Sequence, residues 1–263
     1  MHNFELVKPT TIADAVQALG AEDAQPLGGG QTLIPTMKQR LAAPAVLVST
    51  TGISEMIGVC LDDQGRVCIG GATTHAQVAR EAAAHYPGLA GLASTIGDPA
   101  VRSRGTIGGA LANNDPSACY PAGVLGSGAT VVTNNREIAA DDFFQGMFAT
   151  ALEEGEIITE VKFPVPEKAN YQKFVQPASR FALTGVFVAK YADGVRVAIT
   201  GASESGVFRW SEAEAALSGD FSDGAVSGLS MDADGMIGDL HGTPAYRAHL
   251  CKVLTARAVK AAG

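Results

Sequence analysis

The sequence predicts an α+β chain with two mixed N-terminal lobes and a small C-terminal domain of an antiparallel sheet and helices. Short helical and strand segments alternate as far as Pro164 and Pro166, and three consecutive strand segments follow. With 263 residues, of which 46% are hydrophobic, the chain can bury a sizeable core. We therefore expect a boundary near residue 166, with lobes at about 1–52 and 53–166 and a domain at 167–263.

The first lobe should begin with a strand and a capped helix. Thr10 or Thr11 can accept a hydrogen bond from the first helical turn, which makes either one a plausible N-cap. A glycine-rich turn should then lead into a second helix. The predicted elements are a strand at 4–7, a helix at 12–19, the turn at 28–32, a helix at 33–40 and a strand at 45–48.

The second lobe should contain a hairpin, several helices and a second glycine-rich loop. Thr73 and Thr74 are suited to cap a helix that runs to about residue 84. The other predicted elements are strands at 56–60 and 66–70 around the turn 62–65, a helix at 89–95, the loop 105–109, and strands at 129–132 and 156–163.

The C-terminal domain should be built on antiparallel strands. Asp193-Gly194 is a typical hairpin turn between two apolar, β-branched segments. The predicted elements are strands at 171–175, 185–191 and 195–201, and helices at 212–217 and 245–261.

Charge and cysteine spacing exclude several classes of function. The net charge of −8 and the lack of a Lys/Arg cluster argue against nucleic-acid binding. The cysteines Cys60, Cys68, Cys119 and Cys251 form no C-x-x-C pair, which argues against an iron–sulfur cluster or structural zinc within the chain. Because we find neither a signal peptide nor an apolar run of about 18 residues, we expect a cytoplasmic protein that does not span a membrane.

Two glycine-rich loops, at 28–32 and 105–109, call for a chemical explanation. Backbone amides without Cβ atoms can close around a phosphate, and loops from two parts of the chain could clamp a diphosphate from both sides. For either loop alone, a simple tight turn is an equally good interpretation; the pair favours a ligand. Neither the Walker A pattern nor the complete G-x-G-x-x-G pattern of nicotinamide-binding folds is present.

The sequence contains no complete acid–base or nucleophilic site. The histidines lack the spacing of metal ligands, and His75, beside the predicted helix start at Thr74, is expected to be structural. The G-x-S-x-G pattern of a nucleophile elbow is also missing. Any redox or group-transfer chemistry should therefore come from a cofactor.

Both loops resemble the flavin loops of one known family. Residues 28–35 (GGGQTLIP) and 104–115 (RGTIGGALANND) are similar to those of the FAD-binding medium subunits of molybdenum hydroxylases, the carbon monoxide dehydrogenase and xanthine dehydrogenase family. The resemblance continues in order at 96–102, 156–161, 171–174, 181–183 and 239–247. It implies the FAD-binding fold of the vanillyl-alcohol oxidase (PCMH) type at 1–166 and the family's own C-terminal domain at 167–263.

The resemblance also implies a set of cofactor-binding residues. They are Leu27, Gly28, Gly29, Gly30, Gln31, Thr32, Leu33, Ile34, Ile96, Thr106, Ile107, Gly108, Gly109, Ala110, Asp115, Cys119, Ile158 and Lys173. Two positions depart from the family pattern: Cys119 and Arg180 stand where relatives often carry Asp. The resemblance then implies that Asp115 or a backbone group replaces the missing carboxylate at position 119.

By the same resemblance, the chain carries FAD and works within a larger oxidoreductase. The implied partners are a large subunit with the molybdopterin cofactor and a small subunit with two [2Fe–2S] clusters, arranged as a dimer of heterotrimers. Substrate would be oxidised at molybdenum, and electrons would reach an external acceptor through the clusters and FAD. The alternatives are a free-standing flavin oxidase or reductase of the same fold and, less favoured, a non-enzymatic nucleotide-binding module.

Overall fold

A computed structural model describes residues 1–177 and 179–263. The first lobe contains a small parallel sheet with the strand order β1-β3-β2. Its elements are β1 (Glu5–Val7), α1 (Ile12–Leu19), β2 (Ala24–Leu27), α2 (Leu33–Lys38) and β3 (Val46–Ser49). The hydrophobic core of this lobe also receives Met56 and Ile157 from segments that lie further along the chain.

The second lobe is an antiparallel sheet with helices packed on it. Its five strands have the order β4-β5-β10-β6-β7, and β8 and β9 form a separate hairpin. The elements are β4 (Val59–Leu61), β5 (Val67–Gly70), α3 (His75–Glu81), α4 (Pro87–Ser94), α5 (Pro99–Arg102), α6 (Ile107–Asn113), α7 (Tyr120–Ser127), β6 (Thr130–Thr133), β7 (Glu137–Ala139), α8 (Ala140–Phe143), β8 (Phe144–Gly146), β9 (Ala149–Thr150) and β10 (Ile158–Phe163).

The C-terminal part is a four-stranded antiparallel sheet in sequence order, with two helices packed against it. Its elements are β11 (Lys168–Val175), β12 (Ala182–Tyr191), β13 (Gly194–Ser203), β14 (Gly206–Arg209), α9 (Ser211–Gly219) and α10 (Pro244–Ala262). The α+β prediction is therefore confirmed. None of the helices among the described residues combines the length and the apolarity needed to cross a membrane.

Threonine caps explain where the predicted helices begin. The hydroxyl of Thr11 accepts a hydrogen bond from the N–H of Asp14, and Thr74 accepts one from Gln77. Each cap satisfies a backbone donor that has no partner inside its helix. The predictions of helices after Thr11 and Thr74 are confirmed, because a cap is a local feature that the sequence shows directly.

The hairpin between β12 and β13 turns one residue earlier than predicted. Tyr191 pairs with Gly194, so the two loop residues are Ala192 and Asp193, and Gly194 opens the next strand. Gly194 has a positive φ of 154°. The glycine was correctly linked to the turn, but it lies at the strand end of the turn instead of at its centre.

Several elements were not predicted from the sequence, among them α5, β7, α8, β8, β9 and β14, and two more of them bear on the site. Strand β2 lies directly before the first glycine loop, and helix α7 is buried along its whole length.

The two lobes share the segment at the start of β10. Ile157 packs in the core of the first lobe, whereas Ile158 packs in the core of the second. The two lobes therefore meet at this point, beside the glycine loops.

Candidate functional site

The two glycine loops line a single cavity of about 540 Å³ between the lobes. The first loop follows β2, and the second enters α6. Twelve of the predicted cofactor-binding residues line it: Leu27, Gly28, Gly29, Gly30, Gln31, Thr32, Leu33, Thr106, Gly108, Gly109, Ala110 and Ile158. Segments far apart in the sequence thus converge on one concave site, as expected of a small-molecule pocket.

The first loop presents unpaired backbone donors. None of the amide N–H groups of residues 28–32 donates a hydrogen bond to another group of the described chain. The loop also packs tightly on the second one, since a Cβ at Gly29 would overlap the carbonyl of Arg104. Free amide donors in a glycine-rich turn form a concave site for an anion such as a phosphate.

In the second loop, the amide N–H groups of residues 107–109 all donate hydrogen bonds within the protein. The N–H of Ile107 donates to the Thr73 carbonyl at 3.1 Å, and that of Gly108 donates to the Gly71 carbonyl at 2.8 Å. The N–H of Gly109 donates to the hydroxyl of Thr106 at 3.2 Å, which caps α6. The two loops are therefore not equivalent: the first supplies free donors, and the second forms a rigid wall opposite.

The cavity has no cationic lining. Among its described lining residues, only His75 and Glu156 have side chains that titrate in the acidic or neutral range, and none is Lys or Arg. Burial and the nearby Arg102 lower the pKa of His75 to about 4, so its imidazole is neutral at physiological pH. An anionic ligand here would be held by backbone dipoles and neutral donors, as the overall negative charge led us to expect.

Glu156 lines the cavity, but its carboxylate is fully engaged in hydrogen bonds and so is not free to act in chemistry. Its carboxylate accepts hydrogen bonds from Arg136 Nε at 3.0 Å, Thr133 Oγ1 at 2.6 Å and the Glu153 amide at 2.8 Å. The hydrogen bond from Arg136 is the main reason that the pKa of Glu156 is lowered to about 2. The ion pair connects the 133–136 turn to the segment that leads to Ile157.

We expect Glu156→Gln to lower the free energy of unfolding by about 2–3 kcal/mol at pH 7. Because the pKa of Glu156 is below its ordinary value of 4.5, this stability is fully present above about pH 4.5 and is lost as the pH falls towards 2. Urea unfolding at several pH values measures it, with the exposed Glu154→Gln as the control. A difference between the variants that stays constant down to pH 2 would contradict this account.

Three other predicted residues gather around a second cavity. This cavity has about 500 Å³, and Lys173, Thr95 and Arg102 line it. Lys173 Nζ donates to the Thr95 carbonyl at 2.8 Å and lies 3.5 Å from Cys119 Sγ. Ile96 follows Thr95, and its carbonyl accepts from Arg102 at 2.9 Å. Ile96, Cys119 and Lys173 therefore form a group separate from the glycine loops.

The remaining predicted residues have local structural surroundings. Ile34 packs above Gly30 in the first turn of α2, and Ile107 is fully buried in the core of the second lobe. Asp115 accepts a hydrogen bond from the amide of Ser117 at 2.8 Å and so forms a turn before α7. None of these three is among the residues that line either cavity.

Several residues that line the cavity were not predicted as site residues. They are Gln25, Pro26, Thr36, Thr50, Met56, Gly71, His75, Ala112, Asn113, Leu152, Glu156 and Ile157, and Gly105 was noted only as part of its loop. Gly71 offered a local signal, because it follows Gly70 at a strand end. A Cβ at Gly71 would overlap the carbonyl of Ile158. Most of the others are ordinary residues that only the meeting of the two lobes brings together.

Comparison with known protein families gives one match that covers most of the chain. The model of the FAD binding domain in molybdopterin dehydrogenase matches residues 2–166. The carbon monoxide dehydrogenase medium chain of Afipia carboxidovorans is 38% identical over 71% of this chain and 68% of its own length. The glyceraldehyde dehydrogenase medium chain of Sulfolobus acidocaldarius is 31% identical over 98% of this chain and 97% of its own.

Solved structures show the same fold. The structure of a Cu,Mo-CO dehydrogenase in its cyanide-inactivated form contains a chain with a TM-score of 0.88 and 32% identity, covering 98% of this chain and 97% of that one. Carbon monoxide dehydrogenase from Hydrogenophaga pseudoflava, lacking the Mo-pyranopterin moiety, gives a TM-score of 0.88 at 33% identity, with 99% and 97% covered. The similarity extends over the first two lobes and the C-terminal sheet together.

Proposed function

The chain belongs to the family of FAD-binding domains of molybdopterin dehydrogenases, and on that premise we propose that it is the FAD-carrying medium subunit of a molybdenum hydroxylase. Its bound FAD accepts electrons from the iron–sulfur clusters of a partner subunit and passes them to an external electron acceptor. Relatives along the whole chain are themselves medium chains or subunits, which disfavours the free-standing oxidase or reductase. The protein is thus an oxidoreductase subunit that does not transform the substrate itself.

The observation that carries the proposal is the convergence of both glycine loops on one cavity with free amide donors. The cavity suits the diphosphate of a dinucleotide, because residues 28–32 offer N–H groups at close approach and Gly29 leaves no room for a side chain. Leu27 and Ile158 provide apolar walls next to these donors. The site therefore fits an elongated ligand with an anionic centre and less polar ends.

We assign the predicted residues to two parts of this site. Residues 27–34 and 106–110 hold the diphosphate and adjoining groups, and Ile158 lies near the adenine or its ribose. We extend the site to the second cavity, where Ile96, Cys119 and Lys173 would contact the cofactor. Asp115 supports this end by shaping the turn before Cys119. When bound, FAD supplies the redox chemistry, while these residues bind it, orient it and exclude water.

The partners follow from the same proposal. The molybdopterin cofactor belongs to a large subunit and two [2Fe–2S] clusters belong to a small one, with this chain completing a heterotrimer that pairs into a dimer. The complex resides in the cytoplasm and delivers electrons to an acceptor such as a quinone, NAD or oxygen. In the domain division that we propose, 1–166 and 167–263, the second cavity is lined by residues of both domains, such as Arg102 and Lys173.

The direct test is to purify the chain and identify what it binds. We expect a yellow protein with absorbance near ~370 and ~450 nm, the spectrum of a protein-held flavin. Heat release followed by chromatography should give FAD and not FMN. A colourless protein that fails to bind added FAD overturns the proposal.

A second experiment tests the assembly. The tagged chain, purified from its own cells, should bring down two further polypeptides, with about four iron atoms and one molybdenum per FAD. A chain that binds FAD but purifies alone, and oxidises a substrate without partners, would support the free-standing oxidase instead. Metal analysis and gel filtration on the same sample distinguish the two outcomes.

A further inference from the structure

His75 lies at the wall of the glycine-loop cavity, although its sequence position suggested a structural role. It is the first residue of α3 and lines the cavity together with Gly105 and Thr106. Its backbone N–H donates to the Gly105 carbonyl at 2.9 Å, which fixes α3 to the second loop. The side chain is only 5% exposed. The imidazole is therefore held rigidly beside the place where both loops meet.

The imidazole has no hydrogen-bond partner within the described residues. Its Nδ1 atom is enclosed by protein without a donor or acceptor in reach. The ring packs on Tyr120 with the centroids 5.3 Å apart, and the hydroxyl of Tyr120 is also unpartnered. Leaving a buried polar group unpaired is destabilising. The other ring nitrogen, Nε2, also makes no hydrogen bond to the described residues, but it is not among the enclosed atoms, so a ligand in the cavity can reach Nε2 and not Nδ1.

The protonation of the ring follows from its surroundings. Arg102 is the charged neighbour that acts on it, and together with burial it keeps the imidazole neutral. A neutral imidazole carries a single N–H. Because Nδ1 is enclosed and faces no acceptor, we place the proton on Nε2. This nitrogen lies against Gly105, where an added Cβ would come within 2.5 Å of it.

We propose that His75 is a cofactor-binding residue that donates a hydrogen bond from Nε2 to an oxygen of the diphosphate or ribityl part of FAD. The inference rests on the proposed function and adds a neutral donor from α3 to the free amides of the first loop. It also gives a reason for the glycine at position 105, because a side chain there would displace the imidazole from the cavity wall. His75 thus complements the second loop, whose own amides from 107 to 109 are already paired.

The test compares FAD affinity in three variants by fluorescence titration of the FAD-free protein. His75→Phe keeps a ring but removes the donor, and we expect its dissociation constant to rise about tenfold or more, the loss of one hydrogen bond. His75→Gln can present an amide N–H near the Nε2 position and should stay within about threefold of the wild type. The exposed His85→Phe, just beyond α3, is the matched control.

Two readouts separate the failure of this inference from that of the proposed function. If the wild type does not bind FAD, the proposed function fails; if His75→Phe binds FAD as tightly as the wild type, only the inference fails. Imidazole 15N NMR of the wild type needs no variant that must fold. We expect the His75 Nε2 resonance to shift when FAD is added, and an unchanged resonance overturns the assignment.

Discussion

Replacing Gly29 by alanine is expected to reduce FAD affinity by about hundredfold, or about 2.7 kcal/mol. The added Cβ would overlap the backbone carbonyl of Arg104, which cannot rotate away as a side chain could. The first loop must then move off the second, and the free amides of residues 28–32 leave their positions at the cavity. Isothermal titration of the FAD-free protein with FAD measures the effect.

A matched glycine elsewhere separates crowding from a general effect of alanine. Gly91 lies on the exposed side of α4, with no atom within 4 Å of an added Cβ. Gly91→Ala should leave FAD binding unchanged and stabilise the helix by about 0.5–1 kcal/mol. FAD affinity of Gly29→Ala within threefold of the wild type would show that the loops are not held in this close contact.

Replacing Arg247 by methionine is expected to cost about 3–5 kcal/mol of unfolding free energy. Arg247 projects from α10, is 3% exposed, and donates from Nη1 to the carbonyls of Leu183 at 2.5 Å and Gly201 at 2.6 Å. Its Nη2 pairs with Asp239 at 2.7 Å. Methionine has a similar length but no donor, so two strand carbonyls and one carboxylate lose their partner.

The control for this substitution is on the same helix. Arg257 is exposed, so Arg257→Met changes the charge without removing a buried contact. Urea unfolding should show a small change, within about 0.5 kcal/mol, for the control and a large one for Arg247→Met. Equal stabilities of the two variants would mean that the arginine does not anchor α10 to β12 and β13.

Most of the fold was predictable because the relevant signals are local. Threonine caps mark the starts of α1 and α3, and alternating β-branched residues mark β12 and β13. Each of these patterns depends only on residues within one turn or one strand. The antiparallel order of the C-terminal sheet followed from short connections between consecutive strands.

Two of the elements that escaped prediction, β2 and α7, did so for different physical reasons. Strand β2 has the sequence AQPL, and its Pro26 is tolerated because β2 is an edge strand in the order β1-β3-β2. Helix α7 contains a proline and two glycines and is buried on every side, so it lacks the one-sided apolar pattern of a surface helix. Tertiary packing compensates for weak local preference in both cases.

The sequence by itself determined the family, the cofactor and both glycine loops, because these depend on contiguous motifs such as residues 28–35 and 104–115. Only the tertiary structure decided that the amides of residues 28–32 are free whereas those of residues 107–109 are paired, and that His75 joins the cavity wall. A hydrogen-bond donor is free or paired according to what the rest of the chain places beside it. Which donors are paired depends on how the two lobes meet at the start of β10, and no local sequence pattern encodes that arrangement.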